Sequence, residues 1–285
     1  MATPGGESSL VRRFSVKRIA NGQTERIVDT VAAEEPLEIR ASYWFKDALI
    51  SDSLALTMRT PGNDRELAAG FLVSEGIVRH SSDLLDVRVL GGEVSNEIVV
   101  ELSKGIDFAG WRLGRSTFVN SSCGVCGKRS RDAIAQVRAS DASSETSHDF
   151  RFESALIEML PGLLRERQQG FAQTGGLHAA ALVNVRGEIE AVFEDIGRHN
   201  ALDKLIGWAF LNGRIPLKNH LLFMSSRSSF ELIQKTAMAG APAIATVGGP
   251  SSLAIETARD FGITLVAFVR DQRFNVYSGE WRINL

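Results

Sequence analysis

The chain has 285 residues, of which 44% are hydrophobic and 23% are charged, a composition typical of a globular protein with a sizeable core. Its 32 Lys and Arg against 34 Asp and Glu give a formal net charge of -2, which favours neither nucleic acid nor a membrane as a partner. Residues 1–9 are small and polar, and no run of about 18 apolar residues occurs. We therefore expect a soluble cytoplasmic protein.

The length exceeds the roughly 100 to 200 residues of a common single domain, which favours two domains. We predict a disordered tail over residues 1–10, a smaller α+β domain over 11–115, and an α/β domain over 116–285. In the smaller domain, alternating and β-branched residues predict strands at 26–31, 37–41 and 97–102. One helix is predicted at 64–77, with Asn63 capping it and Glu66 completing a capping box.

Residues 104–114 have the composition of a connection, and 116–126 lead into a polar helix at 127–139 that is followed by a Ser-rich loop at 140–147. A helical stretch at 153–169 is expected to be interrupted by Pro161. The rest alternates between strand and helix, which predicts a mixed, largely parallel sheet. The predicted strands are 179–184, 189–194, 221–225, 243–247 and 264–269, and the predicted helices are 197–211, 230–239 and 251–261.

The only two cysteines, Cys123 and Cys126, are separated by two residues. Because thiolates form readily near helix N-termini and cations, and Lys128 and Arg129 follow the motif, this pair fits a reactive centre that carries sulfur as a persulfide. Three other interpretations stay open: an inert buried pair, a dithiol oxidoreductase, and a zinc site completed by His178 and His199.

Two loops that follow predicted strands carry groups suited to an anion. One contains Ser226, Arg227, Ser228 and Ser229, and the other contains Gly248 and Gly249. Ligands of open α/β sheets bind beyond the carboxyl ends of strands, where backbone N–H groups are free. These loops predict a phosphate or pyrophosphate site, although Ser and Gly also cap helices and form turns without binding anything.

Further candidates lie at the same predicted edge. Arg270 and Arg273 follow the last predicted strand and can bind phosphate or stack on a base. His178 follows a Gly-Gly turn, and His199 lies at a strand-to-helix junction, where a side chain can face a cleft. Facing the cysteines, these histidines would orient or protonate a sulfur-bearing group.

The ordered motifs together resemble the formate dehydrogenase accessory proteins, the FdhD sulfurtransferases, over about residues 15–281. The stretches that carry the resemblance are 63–72, 123–126, 174–178, 194–204, 226–231 and 268–278.

The resemblance implies a sulfurtransferase that takes persulfide sulfur from a cysteine desulfurase on Cys123. It delivers that sulfur to the molybdenum bis-guanine dinucleotide cofactor, which formate dehydrogenase then receives. The resemblance also implies a homodimer, a cytidine-deaminase-like larger domain, and cofactor binding by Phe268, Val269, Arg270, Asp271, Gln272 and Arg273. No resident metal is expected.

Two alternative functions remain, a cofactor-binding chaperone without essential sulfur chemistry and a zinc-binding deaminase-like module. Zinc deaminases combine His-x-Glu with a later Pro-Cys-x-x-Cys. Here Ala179 and Ala180 follow His178, and the cysteines precede that histidine. The general acid/base glutamate of deamination is therefore missing, which disfavours that reaction.

Overall fold

The computed structural model describes residues 10–90, 96–108, 151–270 and 272–285. The described chain begins with an antiparallel hairpin of β1 (Val11–Ala20) and β2 (Gln23–Ala32), most of whose side chains are exposed. A four-stranded sheet follows, made of β3 (Glu35–Phe45), β4 (Ala48–Arg59), β5 (Leu84–Val89) and β6 (Glu97–Leu102) in the order β4-β3-β6-β5. The strand predicted at 97–102 coincides with β6, and those predicted at 26–31 and 37–41 lie within β2 and β3.

The first helix, α1 (Asp64–Ser74), ends three residues earlier than predicted. Asn63 has a left-handed backbone (φ 56°) and its side chain makes no capping hydrogen bond. The predicted capping was therefore wrong, because a capping side chain needs an extended backbone to reach the first-turn N–H groups. The helix is buried on more than one face, since Ala68, Ala69 and Gly70 let neighbouring elements approach closely.

The second half of the chain builds a six-stranded sheet in the order β13-β12-β11-β10-β8-β9. Two short strands, β7 and β14, pair separately. The elements are β7 (Phe152–Glu153), α2 (Ser154–Arg167), α3 (Gln169–Thr174), β8 (His178–Asn184), β9 (Ile189–Asp195), α4 (Arg198–Leu211), β10 (His220–Met224), α5 (Phe230–Met238), β11 (Ala243–Thr246), α6 (Ser252–Asp260), β12 (Thr264–Arg270), β13 (Arg273–Ser278) and β14 (Ile283–Asn284).

This sheet is mixed, as predicted, but it is not largely parallel. Two of its five strand pairs are parallel, β10–β11 and β11–β12, whereas the β12–β13, β8–β10 and β8–β9 pairs are antiparallel. The reason is the connections: helices return the chain for β11 and β12, whereas short turns join β8 to β9 and β12 to β13. The cytidine-deaminase-like layering stays a prediction.

Helix α2 runs through Pro161 rather than being interrupted there. Ile157, Leu160 and Leu164 are all buried against the sheet. Their contacts hold one helical face in place and offset the hydrogen bond that proline removes. No helix in the described ranges is long and apolar enough to cross a bilayer.

Alternating side chains of the six-stranded sheet enter two hydrophobic cores. Ala179, Ala181 and Phe223 pack towards α2, whereas Leu182 and Leu222 join the larger core. That larger core also contains the buried faces of α1, α4, α5 and α6 and of the four-stranded sheet. The predicted domain boundary at 115 and 116 lies outside the described residues and stays a prediction.

Candidate functional site at one edge of the sheet

The predicted site residues within the described ranges line up along one edge of the six-stranded sheet. This edge holds the carboxyl ends of β9, β10, β11 and β12 and the start of β8, since His178 pairs with Asp195 and Ala180 with Met224. Five features lie side by side along this edge, and we call them the row: the β12–β13 turn, the loop after β11, the loop after β10, His178, and the turn before α4. Because β12 and β9 are four strand spacings apart, the row is about 19 Å long.

The loop after β10 is tied to its neighbours by its serines. Ser225 Oγ accepts a hydrogen bond from the Ala179 N–H (2.8 Å), and Ser228 Oγ lies 2.7 Å from Thr246 Oγ1. Ser226 and Ser228 are buried, whereas Arg227 is exposed. The hydroxyls of Ser225 and Ser228 therefore fix the loop, and Arg227 is the side chain that reaches solvent.

The loop after β11 packs directly on the loop after β10. Ser228 N–H donates to Gly249 O (3.2 Å), and Gly248 N–H donates to Ser226 O (2.9 Å). A Cβ on Gly248 would lie 2.9 Å from Cα of Arg227, a distance that real side chains do not adopt. Glycine is thus required here by the close approach of two backbones.

Phe268, near the end of β12, packs against the loop after β11. A Cβ on Gly249 would lie 2.5 Å from Cζ of Phe268, and Phe268 has a left-handed backbone (φ 56°). Phe268 as a whole is 40% exposed, so it remains accessible to a ligand. Val269, by contrast, is fully buried in the smaller core, so only its backbone could meet a cofactor.

The end of β12 carries a pair of like charges. Arg270 and Arg273 are directly opposite each other in the antiparallel β12–β13 pair, and both are exposed. Opposed like charges destabilise a strand pair. Neither guanidinium forms an ion pair with a residue in the described ranges. Gln272, also exposed and left-handed (φ 66°), lies in the turn between them.

At the other end of the row, the turn before α4 is fixed by a buried ion pair. Lys204 Nζ lies 2.8 Å from Asp195 Oδ2 and donates to Thr60 O (2.9 Å). Asp195 also accepts hydrogen bonds from the N–H groups of Thr60 and Gly197. The start of α4 is therefore held rigidly against the end of β4.

Both predicted histidines lie beside this turn. His199 Nε2 is 3.0 Å from Glu231 Oε2 and 3.3 Å from Ser229 Oγ. Burial is the main cause that lowers the pKa of His178, and the nearby positive charge of Arg198 lowers it further. A neutral His178 can accept a proton or a hydrogen bond at one ring nitrogen.

The hydrogen bond from His199 is the main reason that the pKa of Glu231 falls to about 2, so this carboxylate is ionised near neutrality. Sequence reasoning gave Glu231 no role of its own. In the sequence, Glu231 is only a carboxylate two residues after Ser229. This spacing does not indicate that its partner is a histidine.

The row could accommodate an extended anion. Arg227, Arg270 and Arg273 supply positive charge, and the exposed part of Phe268 offers a stacking surface. Within the described ranges, no group of three or more His, Cys, Asp or Glu side chains is arranged to hold a metal ion. Cys123, Cys126, Asp271, the helix predicted at 127–139 and the loop predicted at 140–147 all lie outside the described residues.

Fold and site together define an α/β protein with a basic, glycine-containing row of loops at one edge of its larger sheet. The sequence model of the FdhD/NarQ family matches residues 32–284. The chain belongs to this family.

Similar proteins carry related names. A protein of Streptomyces avermitilis named "Sulfur carrier protein FdhD" is 44% identical over 97% of this chain and 96% of that protein. Proteins of the same name from Mycobacterium tuberculosis and Saccharolobus solfataricus are 44% and 38% identical, covering 94% and 96% of this chain and 96% and 98% of their own lengths. A crystal structure titled as a putative formate dehydrogenase accessory protein from Desulfotalea psychrophila shares the fold (TM-score 0.72, 24% identity), covering 96% of this chain and 100% of that one.

Proposed function

We propose that this protein is a cytoplasmic sulfurtransferase that accepts persulfide sulfur from a cysteine desulfurase on Cys123. It then transfers that sulfur to the molybdenum bis-guanine dinucleotide cofactor, which is required by formate dehydrogenase. The relatives named sulfur carrier proteins, up to 44% identical, support the general role. We also propose that the protein acts as a homodimer.

The observation that carries the proposal is the continuous row of loops at the sheet edge. Arg227 packs on Gly248, Phe268 packs on Gly249, and the opposed Arg270 and Arg273 follow. A bis-guanine dinucleotide is long and carries several negative charges, so an extended row with separated cations suits it better than a compact pocket does. Aromatic and guanidinium planes are also suited to stacking on a guanine base.

The cofactor is the substrate of this reaction. In the proposed complex, Arg227, Arg270 and Arg273 would bind phosphate oxygens, while Phe268 would contact a base. Gly248 and Gly249 contribute indirectly: because they have no Cβ, Arg227 and Phe268 can pack against them and are held in place. Ser226, Ser228 and Ser229 act mainly by holding the loop, since the Ser228 and Ser229 hydroxyls already bond to neighbouring side chains.

The sulfur chemistry belongs to the two cysteines. The Cys123 thiolate attacks the outer sulfur of the donor's persulfide, an S–S bond breaks, and the donor's cysteine leaves as a thiolate. Attack of the Cys126 thiolate on Cys123 Sγ then releases the carried sulfur as hydrosulfide and joins the two cysteines in a disulfide. The first step conserves one sulfane sulfur, and the second makes it available to a metal.

The sulfur-carrier role is tested by intact-mass analysis after incubation with a cysteine desulfurase and cysteine. We expect an adduct of about 32 Da that is removed by a thiol reductant and is absent in Cys123→Ala. The Cys126→Ala variant should still acquire the adduct, since it retains the attacking thiolate. Loading of Cys123→Ala equal to that of the native chain would overturn the proposal.

The ligand-binding part is tested separately with GDP as the probe, in calorimetric titrations of the native chain and of Arg270→Gln. Loss of one charge-assisted hydrogen bond should weaken binding about tenfold. Arg186→Gln is the matched control, because Arg186 is exposed in the β8–β9 turn at the opposite edge of the sheet. Equal affinities of all three proteins would place the nucleotide elsewhere.

A further inference from the structure

Glu231 and His199 form a pair that joins the start of α5 to the start of α4. His199 Nε2 lies 3.0 Å from Glu231 Oε2, and Ser229 Oγ donates to that same oxygen (2.9 Å). Ser229 Oγ also lies 3.3 Å from His199 Nε2. The Nε2 side of the His199 ring is therefore held by Ser229 and Glu231, which lie two residues apart at the start of α5.

The chemistry of this pair determines which ring nitrogen carries hydrogen. The pKa of Glu231 is lowered to about 2, chiefly by the hydrogen bond from His199, so its carboxylate is charged near neutrality. A charged carboxylate accepts hydrogen bonds and donates none. The nitrogen facing it must therefore be Nε2–H, and in the neutral ring Nδ1 then carries the lone pair.

The same histidine lines a pocket of about 230 Å³ between the end of β4 and the start of α4. Thr57, Met58, Ile196 and Asn200 form much of its wall. Within the described ranges, His199 Nδ1 has no hydrogen-bond partner, so this nitrogen is not engaged by the residues that fix the ring.

Hydrogen bonds between side chains and backbone fix the rest of the pocket wall. Asn200 Nδ2 donates to Met58 O (2.7 Å), and Thr57 Oγ1 donates to Asn200 Oδ1 (3.3 Å). The buried Lys204–Asp195 pair fixes the turn just before His199. The pocket thus combines a stable shape with an imidazole whose orientation is set from outside, and the Glu34 side chain also lines it.

We propose that Glu231 is a positioning residue that holds His199 as the Nε2–H tautomer, so that Nδ1 accepts a proton from an S–H group that enters this pocket. The inference rests on the proposed sulfur-transfer function. In the step, the S–H bond breaks, its electron pair stays on sulfur as a thiolate, and the proton forms a new N–H bond on Nδ1. The resulting imidazolium is stabilised by the adjacent Glu231 carboxylate, as in other carboxylate–histidine pairs.

The tautomer is measured by ¹⁵N NMR of histidine-labelled protein. The chain has five histidines, and the His199 signals are identified by their loss in His199→Gln. We expect the native ring to show a protonated Nε2 and an unprotonated Nδ1 when neutral. In Glu231→Gln the amide can also donate to Nε2, so the population should shift towards Nδ1–H.

The rate of acquiring the persulfide adduct provides the functional readout. General-base assistance contributes typically 10²-fold or more, so loading of Glu231→Gln should slow by about 10²-fold. The matched control is Glu166→Gln, an exposed glutamate near the end of α2 that should load at the native rate. Circular dichroism and melting temperature verify that each variant is folded.

The outcomes separate this inference from the proposed function. A native His199 found as the Nδ1–H tautomer overturns the inference even if Glu231→Gln fails to fold. A shifted tautomer with an unchanged loading rate also overturns it. If the native protein acquires no sulfur adduct at all, the proposed function fails, whereas the NMR result still decides whether Glu231 sets the tautomer.

Discussion

Lys204 and Asp195 form an ion pair that is almost completely shielded from water, with side chains 1% and 0% exposed. Burying two charges is costly unless their remaining hydrogen-bonding groups are satisfied. Here Lys204 also donates to two backbone carbonyls, and Asp195 also accepts from two backbone N–H groups. The pair therefore holds the turn before His199 against the end of β4.

Replacing Lys204 with Met should destabilise the protein by about 3–5 kcal/mol, because the Asp195 carboxylate would remain buried without its cation. The free energy of unfolding, measured by denaturant titration, is the readout. Lys218→Met is the control, since Lys218 is exposed and its loss should change the stability by no more than about 0.5 kcal/mol. A similar small effect for Lys204→Met would contradict this account of the turn.

At the scale of elements, α1 and α4 cross with their backbones in contact. A Cβ on Gly70 would lie 1.8 Å from the Asp203 carbonyl oxygen, and one on Gly207 would lie 1.8 Å from the Glu66 carbonyl oxygen. Both glycines therefore permit a helix spacing that any side chain would prevent. Beside the crossing, Lys235 Nζ lies 2.8 Å from both carboxylate oxygens of Asp203, which links α5 to the same contact.

Gly70→Ala should destabilise the protein by several kcal/mol, at least the roughly 1–3 kcal/mol typical of overpacking, because the added methyl group meets rigid backbone. Gly162→Ala is the matched helical control: it is exposed in α2, and its Cβ would meet no atom within 4 Å. That variant should be more stable by about 0.5–1 kcal/mol, since alanine favours the helix. Melting temperatures of the two variants should therefore move in opposite directions, and a stabilised Gly70→Ala would show that the helices are not in contact.

For the whole molecule, the largest hydrophobic core includes elements from both halves of the chain. It contains Ile39 and Ile98 of the four-stranded sheet together with Leu222 and Ile244 of the six-stranded sheet. Helices α1 and α4 lie between these sheets and share the core. A core that is continuous in this way should couple the unfolding of the two parts.

We expect a single cooperative transition in denaturant. Two single-tryptophan variants report on the two parts: one keeps Trp44 in β3, the other keeps Trp208 in α4, and Phe replaces the remaining tryptophans. Their fluorescence midpoints should coincide with each other and with the loss of helical circular dichroism. An earlier transition at Trp44 would instead mean that the first sheet unfolds independently.

Local patterns in the sequence determined much of the second half of the fold. The strands and helices from residue 178 to 270 were predicted to within one or two residues, because alternating apolar strands and amphipathic helices have distinct periods. The same alternation predicted that the loops around Arg227, Gly248 and Arg270 would meet at one edge, since parallel strands share the side on which their carboxyl ends lie. In the first half, short strands were expected from residue 11 to about residue 102, but bounds were predicted only for those that correspond to β2, β3 and β6.

Other features were decided only by the tertiary structure. They include four contacts between residues that are separated along the chain: the antiparallel pairing of β8 with β10, the pairing of Glu231 with His199, the buried Lys204–Asp195 pair, and the contact of Gly70 with α4. Such contacts leave no periodic trace in the sequence, because each partner is locally compatible with many neighbours. Their free energy arises from burial and geometry that exist only once the elements have packed together.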